Sequence, residues 1–347
     1  MTGVLGAVAS PDGLVFLAGI VCVYLGAELL VSGAASMALG YGIRPATVGV
    51  TIVAFATTAP ELFVSSIGAV ASDDAIALGN IVGSNIANIG LVLGVSALVS
   101  PVTIEHDALR TQGPFMLAAA VALVALGLDG SIAAVDGGLL LALLAVFTGY
   151  LYYDARHRTA ESVPDGELLD EVDDEVVETA SIGVRDVAKT VGALAFLLVG
   201  SRWLILGGEG VLVDLGFGKL FIGLTIIAFG TSVPELATSL VSAYRGQGDF
   251  SITNVIGSNI YNVLAVIGIV SLMVPIGVSA RTMVVEFPIM IGFTVAALAM
   301  MWIGDDLGRS EGGTLVAGYL AFFYVLFLAR SGSFLSDVLD VLAAVTP

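Results

Sequence analysis

Residues 51–66 read TIVAFATTAPELFVSS, and residues 225–240 read TIIAFGTSVPELATSL. A second phrase, NIVGSNIANIGLVLGV at 80–95, returns as NVIGSNIYNVLAVIGI at 254–269. Both copies are displaced by 174 positions, so nothing is gained or lost between the two phrases. The repeats are apolar, yet each carries one glutamate directly after a proline, Glu61 and Glu235. A carboxylate inside an apolar segment is costly and is by default a functional group. Two of them at equivalent positions predict one composite site where two half-proteins meet.

The composition sets the solvent. Hydrophobic residues make up 57% of the chain and charged residues 12%, about half the charged share of a soluble domain. Mean hydropathy is +1.02. These values predict an integral membrane protein whose first partner is the lipid bilayer. Residues 1–13 hold no Lys or Arg, and the apolar run after them is long enough to span, so a retained helix is expected there rather than a cleaved signal. The single cysteine, Cys22, excludes an intrachain disulfide. The two histidines, His106 and His157, fall in polar connections and leave little for a zinc site or a His-based catalytic centre. The net charge of −18 with only two lysines suits an exterior solvated in high salt, or simply an acidic loop, and speaks against nucleic-acid partners.

A span needs about twenty apolar residues. Ten stretches qualify: 14–38, 46–70, 76–99, 114–128, 131–153, 187–207, 219–243, 251–274, 286–304 and 312–329, the fourth being short. The long hydrophilic stretch 154–185, with its GELLDEVDDEVVE run, reads as a solvated linker without the ligand spacing of an EF-hand. The expected plan is all-α: a five-helix repeat in 1–153, the acidic linker 154–185, a second five-helix repeat in 186–330 and a tail, 331–347. Five spans per half, an odd number, put the halves in opposite orientations and make them inverted repeats. Basic residues set the sidedness. With both termini outside, Arg44, Arg110, Arg156, Arg158, Arg185, Lys189, Arg245 and Arg309 are cytoplasmic, as is the linker, while Arg202, Lys219, Arg281 and Arg330 are external.

The motifs specify oxygen chemistry. Pro60 has no amide hydrogen, so the Ala56 carbonyl loses its helical partner and the helix is expected to break there. Freed carbonyls at membrane depth need a cation or water. Thr57 lies one turn before Glu61. Pro234, Gly230, Thr231 and Glu235 repeat the arrangement, with Ser232 in place of Thr58. Carboxylate, hydroxyl and carbonyl oxygens together suit a hard cation. The second phrase adds Gly83, Ser84, Asn85 and Asn88, mirrored by Gly257, Ser258, Asn259 and Asn262. Asn88 and Asn262 read as ligands, whereas Asn85 and Asn259 read as interhelical glue. Two ionised glutamates match one divalent cation or two Na+, and a flexible oxygen cage suits Ca2+ better than Mg2+. A third carboxylate, Glu28, corresponds by the same offset to Arg202, and both are expected to snorkel toward a membrane surface.

At these residues the chain resembles the cation/calcium antiporter superfamily, in particular its prokaryotic sodium/calcium exchanger branch. The family's G-T-S-x-P-E phrase stands here as ATTAPE (56–61) and GTSVPE (230–235), and its G-S-N-x-x-N/D phrase as GSNIAN (83–88) and GSNIYN (257–262). The resemblance implies antiport by alternating access, with spans one and six sliding over a fixed core. It implies a central Ca2+ site from Glu61, Glu235, Thr57 and Thr231. It implies Na+ sites that share the glutamates and add Ala54, Thr58, Ser84, Ala228, Ser232 and Ser258. Asn88 and Asn262 take the central polar positions. Asn262 departs from the aspartate of many prokaryotic and potassium-dependent members, which argues against K+ co-transport.

The alternatives are a proton- or potassium-coupled exchanger of the same superfamily, a passive cation channel and an intramembrane protease. A serine protease would need a nucleophile motif with a histidine in a span, and an aspartyl one paired aspartates within spans; neither pattern is present. No enzyme activity, cofactor or obligate protein partner is expected.

Overall fold

The computed structural model describes residues 10–41, 45–70, 74–158, 184–214 and 231–328. Apolar segments in lipid must satisfy their own peptide groups, and helices do so. The first half holds α1 (Pro11–Tyr41), α2 (Gly49–Thr57), α3 (Ala59–Val70), α4 (Ile76–Val99), α5 (His106–Leu126) and α6 (Ala134–Arg158). The second half holds α7 (Val184–Asp214), α8 (Val233–Tyr244), α9 (Gly248–Met273), α10 (Thr282–Ile303) and α11 (Arg309–Leu328). Among the described residues, seven helices are long and apolar enough to cross a membrane, and α2 with α3 makes an eighth, broken span. The two segments of that span meet at Thr58 with a bend of 43°, next to the Pro60 that the sequence singles out. Of the expected 154–185 linker, residues 154–158 belong to α6 and 184–185 to α7; the rest of it, the tail and the start of the expected 219–243 span lie outside the described residues.

Several helix boundaries differ from the sequence reading, most of all in the fourth span. The short fourth span, expected at 114–128, is the full helix α5, which begins at His106 and runs through Pro114. The turn HDALRTQ looks like a polar connection but is partly core: Thr111 and Gln112 are buried, and the Thr111 hydroxyl donates to the Asp107 carbonyl at 2.6 Å. That bond satisfies the polar group within the helix itself.

The helices divide into an inner and an outer set. Within their most apolar windows α9 is 89% buried and α4 78%, against 22% for α6. Ile81, Ile86, Ile89 and Leu93 of α4 pack with Ile256, Ile260, Leu264 and Ile267 of α9 in one continuous core. Large apolar side chains such as Phe63, Ile67, Val135, Val146 and Leu320 lie exposed on the outside, as lipid contact requires. Short ribbons tie the halves together at the helix ends. Val102 and Thr103 pair antiparallel with Leu307 and Asp306, and Ser131 and Ile132 with Gly277 and Ile276.

α1 and α7 pack against each other through Val23, Ala27, Leu30 and Val31 with Ala193 and Leu197, in a cluster that also takes in Val48, Val53, Val233, Val241 and Phe250 of the inner segments. They run antiparallel and touch through glycine. A Cβ at Gly19 would lie 2.5 Å from the Leu204 amide nitrogen, and one at Gly26 2.8 Å from that of Leu197. Gly200 faces Val23 in the same way. Glycines seven residues apart keep one face of each helix flat, so the backbones approach closely.

Glu28 of α1 forms an ion pair with Arg245, the residue after α8. Arg202 is exposed.

Candidate functional site

The inner helices bring both motif copies to one place. Glu61 sits in the first turn of α3 and Glu235 in the first turn of α8, where helix dipoles favour negative charge. Each is 1% exposed. Just before them, Thr57 and Thr58 close α2, and Thr231 and Ser232 form the turn into α8. Ser84, Asn85 and Asn88 line α4, and Ser258, Asn259 and Asn262 line α9. All of these side chains are buried.

The contacts cross between halves. Ser84 donates to Glu61 Oε1 at 3.4 Å, and its oxygen lies 3.4 Å from that of Thr231. The Thr231 hydroxyl lies beside Glu61, and the Thr57 hydroxyl beside Glu235. Asn88 and Asn262 begin matching π-helical turns, Asn88–Leu93 and Asn262–Ile267. Such single-turn widenings are frequent at functional sites.

The electrostatics of this cluster are one-sided. Glu61 Oε2, both Glu235 carboxylate oxygens, Asn88 Oδ1, Asn262 Oδ1, Ser232 Oγ and Ser258 Oγ are buried without a hydrogen-bond partner. Among the described residues no Lys, Arg or His is buried. Buried polar atoms ordinarily find partners, and an unpaired buried charge is costlier still. A set of acceptor oxygens around two carboxylates is completed by cations. Its make-up fits a hard ion bound through six to eight oxygens, as Ca2+ is.

One expected ligand is differently engaged. The Ala54 carbonyl accepts from the Thr58 hydroxyl at 2.7 Å, the Thr57 hydroxyl at 3.3 Å and the Thr58 amide at 3.1 Å. Bonds within the broken turn therefore occupy it in this state. Ala228, its expected counterpart, lies outside the described residues, as does Gly230.

Asn85 and Asn259 are more than interhelical glue, because they hold Asn262 and Asn88 by direct side-chain bonds. A further layer escaped sequence reasoning. Asn80 donates to Ser65 Oγ at 3.1 Å and to the Glu61 carbonyl at 3.4 Å, and Asn254 donates to Ser239 Oγ at 3.0 Å. These four residues obey the same offset as the glutamates, and that was the available signal.

Known proteins resemble this chain over most of its length. The family described as sodium/calcium exchanger protein matches residues 13–153 and 187–328. The chain is 34% identical over 314 residues to the putative antiporter CaxA of Alkalimonas amylolytica, covering 90% of this chain and 97% of that one. It is 29% identical over 344 residues to the sodium/calcium exchanger MaX1 of Methanosarcina acetivorans, covering 90% and 98%. Its fold superposes on the sodium-calcium exchanger NCX_Mj with a TM-score of 0.75 at 27% identity, covering 90% of this chain and 98% of that one. The chain is thus a multi-pass membrane protein and belongs to the sodium/calcium exchanger protein family.

Proposed function

We propose that this chain is a secondary antiporter that exchanges Na+ for Ca2+ across the cell membrane, with the ions bound at the midplane between Glu61 and Glu235. The observation that carries the reading is the buried cluster of unpartnered oxygens around two carboxylates, with no Lys, Arg or His buried among the described residues. Glu61, Glu235, Thr57 and Thr231 hold Ca2+. Thr58, Ser84, Ser232, Ser258, Ala54 and Ala228 serve Na+, and Asn88 and Asn262 complete the centre. Two negative charges must be neutralised before the site can face the low-dielectric barrier, and this favours coupled exchange over leak.

The architecture proposed is ten spans in two inverted five-helix repeats, 1–153 and 186–330. Both termini are outside, the 154–185 linker is cytoplasmic, and 331–347 forms a tail. Reciprocal bonds between residues 174 apart, such as Asn85 and Asn259, support a two-fold relation. Access alternates as α1 and α7 slide together over the core. Their glycine-to-backbone packing supports movement as one body.

The test is calcium flux in vesicles under separately imposed Na+, K+ and pH gradients. Na+-driven ⁴⁵Ca2+ uptake that Glu61→Gln or Glu235→Gln abolishes is the expected result. Equal uptake driven by a pH or K+ gradient without Na+ overturns the sodium assignment. A current far above transporter turnover would make the protein a channel.

A further inference from the structure

Asn85 and Asn259 each make three side-chain contacts, and the two sets mirror each other. Asn85 Nδ2 lies 3.4 Å from the Asn259 carbonyl oxygen and 3.9 Å from Met290 Sδ, while Asn85 Oδ1 lies 3.0 Å from Asn262 Nδ2. Asn259 Nδ2 lies 3.4 Å from the Asn85 carbonyl oxygen and 3.9 Å from Met116 Sδ, while Asn259 Oδ1 lies 3.1 Å from Asn88 Nδ2.

Chemistry alone fixes which end of each amide is nitrogen. A carbonyl oxygen and a thioether sulfur can only accept. The end of Asn85 that faces both must therefore be its NH2 group, so its other end is oxygen. That oxygen can only accept, so the Asn262 atom against it must be NH2. The Asn262 carbonyl oxygen is thereby kept off the Asn85 contact, and it is buried without a partner. The same steps starting from the Asn85 carbonyl and Met116 orient Asn259, then Asn88, and leave Asn88 Oδ1 buried and unpartnered. No hydrogen position needs to be assumed.

We infer that Asn85 and Asn259 are positioning residues, each fixing the rotamer of the asparagine on the opposite half so that its carbonyl oxygen, not its NH2, faces the cation. This deepens the exchanger reading and rests on it. Asn85 acts through Asn262, and Asn259 through Asn88. If either is removed, the dependent amide is free to turn, and a turned amide presents its N–H groups to a cation. Two asparagines outside the ion cage then set the sign of the dipole inside it. The pairing also crosses between the halves, so neither half orients its own central amide.

The experiment is equilibrium ⁴⁵Ca2+ binding to the purified full-length protein in nanodiscs, with thermal melting as the check on folding. Asn85→Ala is expected to weaken binding about tenfold to a hundredfold, the usual range for groups that orient a metal ligand. In an Asn262→Ala background the same change should have almost no further effect. In an Asn88→Ala background its effect should multiply in full. A general structural role would multiply equally in both backgrounds. Parent-like binding by Asn85→Ala, or losses that multiply with Asn262→Ala, overturns the inference alone. A parent chain that binds no Ca2+ overturns the exchanger reading and this inference with it. The mirror cycle, Asn259→Ala with Asn88→Ala, gives the same decision if Asn85→Ala does not fold.

Discussion

Arg245 donates to the carboxylate of Glu28, joining two residues 217 positions apart in the chain. Glu28 lies on α1, which packs with α7, and Arg245 follows α8, which carries Glu235. The ion pair therefore links the outer helix pair to the inner helices. Both side chains are about 30% exposed, so the pair sits at the edge of the packed helices rather than in the core.

An ion pair at such a place contributes about 1 kcal/mol at most, roughly a fivefold change in an equilibrium. If α1 moves over the core during exchange, the pair weights one conformation against the other. Arg245→Ala should change the turnover of Na+/Ca2+ exchange by up to about fivefold and leave Ca2+ affinity close to that of the parent. The charge swap Glu28→Arg with Arg245→Glu should restore the rate. Loss of affinity with unchanged turnover would instead place Glu28 in the ion site.

Glu61 and Glu235 make a prediction about stability as well as flux. A ligand that binds only the folded protein stabilises it by mass action, by about 2.7 kcal/mol at a hundred times Kd. Added Ca2+ should raise the melting temperature of the parent, and a chelator should reverse the rise. Glu61→Gln and Glu235→Gln should fold, because they replace a buried carboxylate by a neutral amide of similar shape, yet their melting should ignore Ca2+. A Ca2+ response of parental size in either variant would move the binding site elsewhere.

The fold and the heart of the site were legible because two sequence signals coincide. Apolar length gave most of the spans, and the 174-residue offset marked Glu61 and Glu235, with their hydroxyl and amide neighbours, as one set. The misses have physical causes. The start of α5 was hidden because Thr111 satisfies its hydroxyl within the helix, which hydropathy does not register. The partner of Glu28 was hidden because long-range pairing is not a local pattern. The bonds of the Ala54 carbonyl were not legible, because hydroxyls from the next turn reach back to it. Asn85 and Asn259 read as interhelical glue, but which partners they hold was hidden, since only the direction of their bonds shows it.

The contact of α1 with α7 can be tested through its glycines. A methyl group at Gly19 would meet the Leu204 backbone at 2.5 Å, with no flexible side chain to yield. Overpacking of this kind costs about 1–3 kcal/mol. Gly19→Ala should lower exchange while equilibrium Ca2+ binding stays near the parent value, because the site is built on other helices. Equal loss of binding and transport would show that α1 supports the site itself.

Ser84 and Ser258 hold equivalent positions but different bonds, and this separates ligand roles from structural ones. Ser84 donates to Glu61 and meets Thr231, whereas Ser258 Oγ is buried without a partner. Without ions, Ser84→Ala removes its hydrogen bond to Glu61 and should cost about 0.5–1.5 kcal/mol. Ser258→Ala removes an unsatisfied hydroxyl and should be neutral or slightly stabilising. Saturating Na+ should change the comparison, because both hydroxyls then gain a cation that their alanine variants cannot hold. The Na+-induced rise in melting temperature should shrink in both variants, and Ser258→Ala should become the less stable protein relative to the parent only when Na+ is present. Thermal melting in Na+-free and Na+-saturated buffer measures both signs. Destabilisation by Ser258→Ala that is equal with and without Na+ would make its hydroxyl a packing group and remove it from the ion site.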